Sequence, residues 1–184
     1  MTDIYLVRHG EAAATWAQSP DPGLSEKGQQ QARHAADSLM PVLGTNAVAL
    51  ISSPMLRARE TAEPLANQLQ QEVTVHEAFR EIQAPVPLAE RQRWLRAFMQ
   101  QQWQDQSDAL HQWRDHAFES LLALPRSAVI FTHFLVINAV VGQIKNESAT
   151  LCCWPDNGSI THLRLDSEAL SLVALGKQMQ TLVN

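Results

Sequence analysis

Apolar residues recur along this chain in two alternating rhythms. Residues 4–7, 47–51 and 128–132 are short unbroken runs of aliphatic and β-branched side chains closed by polar or turn residues, the pattern of strands buried on both faces. Between them the spacing turns helical. Residues 25–40 carry Ala32, Ala35, Ala36 and Leu39 on one stripe, with Ser25 placed to cap the start and Pro41 to end the helix. A second helix is predicted over about 55–71, with Pro64 as a kink or boundary. Residues 73–75 read as a short strand, and 79–82 lead into a loop holding Pro85 and Pro87. Helical stretches follow over roughly 88–104 and 107–124, and another runs from His133 to about Gly142. The tail, 159–165 and 169–175, alternates apolar and polar residues around an acidic turn, as a hairpin at a sheet edge would. This order predicts an α/β fold, a three-layer α/β/α sandwich with a mixed, mostly parallel sheet.

Composition adds limits. A length of 184 residues, 45% of them apolar and 18% charged, fits one globular domain over 1–184, and no repeat or low-complexity linker divides it. The formal charge of −5 disfavours a broad nucleic-acid or anionic-membrane surface, so any anion site must be a local cluster of positive groups. No apolar run approaches a membrane span, and the first residues lack the basic and apolar regions of a secretory signal. Cys152 and Cys153 are adjacent and have no other cysteine to pair with. They are expected to be free thiols in a reducing compartment, which places the protein in the cytoplasm. A metal role for them would need further ligands at suitable spacing.

Three strand ends then belong together. Ligands of open α/β sheets sit beyond the carboxyl ends of the strands. Arg8 and His9 follow the first run, His133 follows the run ending at Thr132, and Arg57 opens the helix after the second. Arginine offers paired planar donors to phosphate oxygens, and an unprotonated imidazole nitrogen can attack phosphorus. A carboxylic acid such as Glu81 can supply the proton a departing alkoxide needs.

The residues that carry this chemistry also resemble a known family. Leu6-Val7-Arg8-His9-Gly10-Glu11 is similar to the signature of the histidine phosphatase superfamily, which includes the cofactor-dependent phosphoglycerate mutases. The likeness continues through residues 24–32, 52–62, 79–82, 129–133 and 156–161, in the family's order and over nearly the whole chain. It implies a phosphoglycerate mutase-like fold and a metal-independent phosphatase of the small phosphatase branch, without a cofactor. His9 would be the nucleophile and carry the phosphoryl group. Arg8, Arg57 and His133 would clamp its oxygens, and Glu81 would be general acid and then base. Phe134 and Asn157 are candidates for substrate contact. The substrate would be a small phosphomonoester or phosphoramidate, or a phosphoprotein.

Departures from the pattern keep alternatives open. Phe134 stands where the family usually has glycine, Gln83-Ala84-Pro85-Val86-Pro87 replaces its usual aromatic-glycine segment, and residues 12–16 lack its polar contacts. Phosphoglycerate mutase-type transfer and a non-catalytic phosphate-binding module are the rival functions. Arg57 could instead pair with Glu60 or Glu63, and Trp94, Trp103 and Trp113 could pack a core or line a lid. Arg91, Arg93 and Arg96 could form a solvated face or reach a substrate. The other histidines read as structural or solvated.

Overall fold

In a computed structural model, which describes residues 1–15, 18–167 and 169–180, six strands form one sheet. The strands are β1 (Thr2–Arg8), β2 (Ala49–Ser52), β3 (Thr74–Val75), β4 (Ala128–Thr132), β5 (Ile160–Asp166) and β6 (Ala169–Ala174), in the order β3-β2-β4-β1-β5-β6. Strands β1 to β4 run parallel, while β5 and β6 are antiparallel and close one side. The sheet is therefore mixed, and the predicted hairpin places β6 at its edge. Trp16 lies outside the described residues.

Alternation along the central strands divides the core. Ile4, Leu6, Ala128 and Ile130 face α4 (Asp108–Leu122) and α5 (Phe134–Lys145), while Tyr5, Val7, Val129 and Phe131 face α1 (Glu26–Leu43) and α2 (Leu56–Leu69). Helices on both faces explain why the strand sequences read as continuous apolar runs. A third cluster joins α3 (Arg91–Phe98) to the first turns of α5 through Leu95, Phe98, Leu135 and Ala139.

Two helix boundaries differ from the sequence expectation. Helix α1 continues past Pro41 to Leu43, where Gly44 takes a positive φ of 57° and its N–H closes on the Met40 carbonyl. Proline at 41 removes one hydrogen bond near the end of the helix, and burial of Leu39 and Leu43 holds the last turn. Pro64 is likewise inside α2, so it is not a boundary. The stretch predicted as one helix over 88–104 is broken into a 3-10 turn at Leu88–Glu90, α3, and a second 3-10 turn at Trp103–Asp105. Its backbone groups pair elsewhere: Thr150 Oγ1 donates to Phe98 O, the Thr150 N–H donates to Gln101 O, and the Trp103 N–H donates to Ser148 O. Pairing with the 148–150 segment outweighs helical continuation. Among the described residues, no helix is long and apolar enough to cross a membrane.

Candidate active site

Register decides which groups meet. Arg8 pairs with Thr132 across β1 and β4, so the next residue of each chain segment, His9 and His133, emerge side by side. Their ring centroids are 5.2 Å apart. Ser52 pairs with Phe131 across β2 and β4, which brings Ser53 beside His133. The first turn of α2 then delivers Arg57 to the same edge.

His9 is held from several directions. Its N–H donates to Thr132 O at 3.0 Å, its carbonyl accepts from Asn157 Nδ2 at 3.1 Å, and the Gly10 N–H donates to Thr61 Oγ1 at 3.0 Å. Thr61 in turn donates to the Arg57 carbonyl at 2.7 Å, which locks this loop to α2. The ring Nδ1 lies 2.6 Å from the Gly10 carbonyl, an acceptor only, so Nδ1 carries the proton and Nε2 is bare. Arg57 Nε donates to that Nε2 at 3.2 Å. Burial, then the charges of Arg57 and Arg8, hold the ring's pKa well below its usual value. His9 is thus an unprotonated imidazole with a fixed tautomer.

The loop after His9 depends on two glycines. A Cβ at Gly10 would overlap the Gly28 carbonyl, and one at Gly28 would overlap the Glu11 carbonyl. The nucleophile loop therefore lies backbone to backbone against the start of α1, which Ser25 caps through Oγ to the Gly28 N–H.

The positive groups are buried with part of their hydrogen-bonding capacity unmet. Arg57 is 1% exposed, and its Nη2 has no partner. Arg8 uses Nη1 on Pro155 O at 2.9 Å and lies 3.0 Å from Met179 Sδ, but its Nε has no partner. His133 sits with Nε2 2.7 Å from Ser53 Oγ and Nδ1 unpaired. Each such buried group costs roughly 1–3 kcal/mol until something binds it. Desolvation lowers the Arg8 pKa to about 10, with Glu81 and Asp156 opposing, and lowers that of Arg57 as well. Burial, then His9, Arg57 and Arg8, keeps His133 well below its ordinary pKa. Crowded, desolvated cations with unused donors are suited to a multiply charged anion.

Glu81 opens into the same cleft, a cavity of about 440 Å³ also lined by Arg8, His9, Leu95, Phe134 and Trp154. It is 3% exposed, and its two oxygens accept from the Ile82 and Leu135 N–H groups at 3.0 and 3.3 Å. Burial holds its carboxyl above the usual carboxylate range, against those N–H groups and the pull of Arg57 and Arg8.

The structure thus brings Arg8, His9, Arg57, Glu81, His133, Phe134 and Asn157 to one edge. Among the described residues Arg57 forms no ion pair with Glu60 or Glu63, and the Glu60 carboxylate accepts from the Leu24 N–H. Trp103 is buried, Trp94 stacks on Phe98, and Trp113 donates to Arg80 O, so these tryptophans pack the helical segment. Of the three arginines, Arg96 lines the cleft. The sequence reading missed Ser53, Thr61, Trp154 and Met179. Ser53 and Thr61 lay inside a quoted motif, but nothing local marked Trp154 or Met179.

Comparison with known proteins identifies relatives of the chain and of its fold. A 66-residue stretch is 41% identical to an uncharacterized protein of Picosynechococcus, covering 35% of this chain and 39% of that protein's length. Over 165 residues the chain is 28% identical to a probable phosphoglycerate mutase of Erwinia tasmaniensis, covering 78% of this chain and 75% of the relative. A mycobacterial glucosyl-3-phosphoglycerate phosphatase solved with VO3 has the same fold, with a TM-score of 0.71, 22% identity, and coverage of 95% and 98% of the two chains. The sequence profile of the histidine phosphatase superfamily (branch 1) matches residues 4–178. The chain belongs to the histidine phosphatase superfamily.

Proposed function

We propose that this protein is a phosphatase in which His9 Nε2 attacks the phosphorus of a phosphate monoester or phosphoramidate. Arg8, Arg57 and His133 take the phosphoryl oxygens with the donors left over in the buried cluster. As the ester bond breaks, Glu81 gives its proton to the leaving oxygen. The histidine-bound phosphoryl group is then cleaved by water, from which Glu81 takes the proton back. The observation that carries this reading is the His9 ring, with Nδ1 tied to Gly10 O at 2.6 Å and an unprotonated Nε2 that accepts from Arg57 Nε at 3.2 Å. In this mechanism His133 takes the tautomer protonated at Nδ1, with Nε2 accepting from Ser53 Oγ 2.7 Å away, and the unpaired Nδ1 donates to a phosphoryl oxygen. The chain would act as a single domain in the cytoplasm, on a small phosphorylated substrate.

Glu81 favours turnover over a non-catalytic binding module, because it lines the cleft with His9 and can supply the proton a leaving group needs. Mutase-type transfer is the second reading, favoured by the name of the Erwinia relative. The test is hydrolysis of p-nitrophenyl phosphate in EDTA by the wild type and by His9→Ala. Activity that survives EDTA and disappears in the variant supports the reading, as does an acid-labile phosphoryl-enzyme trapped only in the wild type. A variant as active as wild type would end it. Interconversion of phosphoglycerates without phosphate release would favour the mutase reading.

A further inference from the structure

We propose that the cleft selects esters whose leaving group carries a planar apolar ring, and that Phe134 and Trp154 are the residues that read it. The inference rests on the phosphatase reading of His9. Phe134 directly follows His133 as the first residue of α5, so its ring begins where the phosphoryl clamp ends. The Arg8 guanidinium lies 5.1 Å from the Phe134 ring centroid, over its face. A phosphoryl group held by Arg8 therefore has this ring as a close neighbour. Trp154 meets Phe134 nearly edge-on with centroids 5.7 Å apart, which makes a two-sided aromatic corner. Leu95, Met99 and Met179 complete the apolar wall.

Trp154 is 38% exposed, although its backbone is held on both sides. Its N–H donates to Gln178 Oε1, and its carbonyl accepts from the Met179 N–H. A tryptophan fixed in place with its ring uncovered is a binding surface in waiting, because stacking on it costs little ordering entropy. Beyond the phosphoryl clamp, two polar side chains of the cleft wall already have protein partners. Asn157 Nδ2 donates to His9 O, and the Glu11 carboxylate accepts from Ser25 Oγ and pairs with Lys27. Gln92 and Arg96 are exposed at the mouth. A polyol or carboxylate on the leaving group would give up water beside the aromatic corner and gain few partners there.

The experiment compares 2-phenylethyl, ethyl and glycerol 3-phosphates, whose alkoxide leaving groups are of one chemical kind. Wild type should favour the phenylethyl ester over the ethyl ester by about tenfold or more in kcat/KM, about 1.4 kcal/mol. The ratio within one variant cancels any change in the phosphoryl clamp. That ratio should fall toward one in Trp154→Ala, and in Phe134→Ala, with Phe134→Leu between. Binding of 2-phenylethylphosphonate against ethylphosphonate, by calorimetry, reads the same selectivity without turnover. A phenyl preference in binding, with none of the esters hydrolysed, keeps the selectivity and overturns the phosphatase reading. Equal kcat/KM and equal binding for all the probes, or glycerol 3-phosphate ahead, overturns the selectivity. A phenyl preference untouched by either alanine substitution overturns the assignment to these two residues.

Discussion

Replacing Glu81 by glutamine tests proton transfer apart from charge and shape. The side chain keeps its volume, but only its oxygen can still accept. Because the Ile82 and Leu135 N–H groups each use one carboxylate oxygen, the amide nitrogen must face one of these donors. One buried N–H is left without an acceptor, a stability cost of about 1–3 kcal/mol. The kinetic cost is larger and depends on the leaving group. An alkoxide departs poorly without a proton, so kcat on an alkyl phosphate should fall by about 10²–10⁴. Nitrophenolate departs unprotonated, so kcat/KM on p-nitrophenyl phosphate, which reports phosphoryl transfer to His9 and not the later hydrolysis, should fall by less than about tenfold, whereas the alkyl ester loses kcat/KM as well as kcat. The pH profile gives a second reading. Burial keeps Glu81 protonated above the usual carboxylate range, and wild-type rates on the alkyl ester should fall as pH rises through that raised value. The acid limb belongs to His9 and lies below about 6.5, because its pKa is depressed. Glu81→Gln should lose the alkaline limb and keep the acid one. Equal losses on both esters, with both limbs retained, would refute the proton-donor role.

Arg57→Ala removes a buried cation that touches the nucleophile, and kcat should fall about 10²–10³, as for loss of one transition-state donor. An unchanged kcat in steady-state assays would take Arg57 out of the clamp. Gly28→Ala should destabilise by about 1–3 kcal/mol and lower Tm by several degrees, because the new Cβ overlaps the Glu11 carbonyl. A raised Tm, as helix propensity alone would give, would mean the loop is looser than described. The buried neutral histidines make stability depend on pH. Both folded pKa values lie below the unfolded value of about 6.5, so stability is full above that pH and is lost as pH falls toward the folded values. Each histidine contributes at most about 1.4 kcal/mol per pH unit, while Glu81, shifted upward, contributes the opposite slope. Urea unfolding from pH 7 to 5.5 should show a shallower loss in His9→Asn than in wild type, and parallel slopes would contradict the assignment.

Most of the sheet was legible because β1, β2 and β4 are covered on both faces and so have no polar side to confuse the pattern. The convergence of Arg8, His9 and His133 was legible for a related reason. Strand ends in a parallel sheet share an edge, and the register of β1 with β4 then needs no further information. The segment from 88 to 105 was not legible, since its break is set by hydrogen bonds to residues 148–150, some fifty positions away. The same holds for the cleft wall. Trp154 and Met179 meet because Pro155 pairs with Gln178, a contact with no local periodicity to announce it. Phe134 was visible only as a departure from the family's glycine.

The position of β1 has a consequence for how the protein is made. The strand that leads to His9 leaves the ribosome before the other five strands, yet its two neighbours in the sheet are β4 and β5, which end at Thr132 and Asp166. At about 5–20 residues per second, the apolar residues of β1 wait on the order of 10–30 s for both partners. During that interval an aggregation-prone strand is exposed, and no part of the site can assemble. Synthesis of this chain therefore leaves one side of β1 unpaired until β5 arrives.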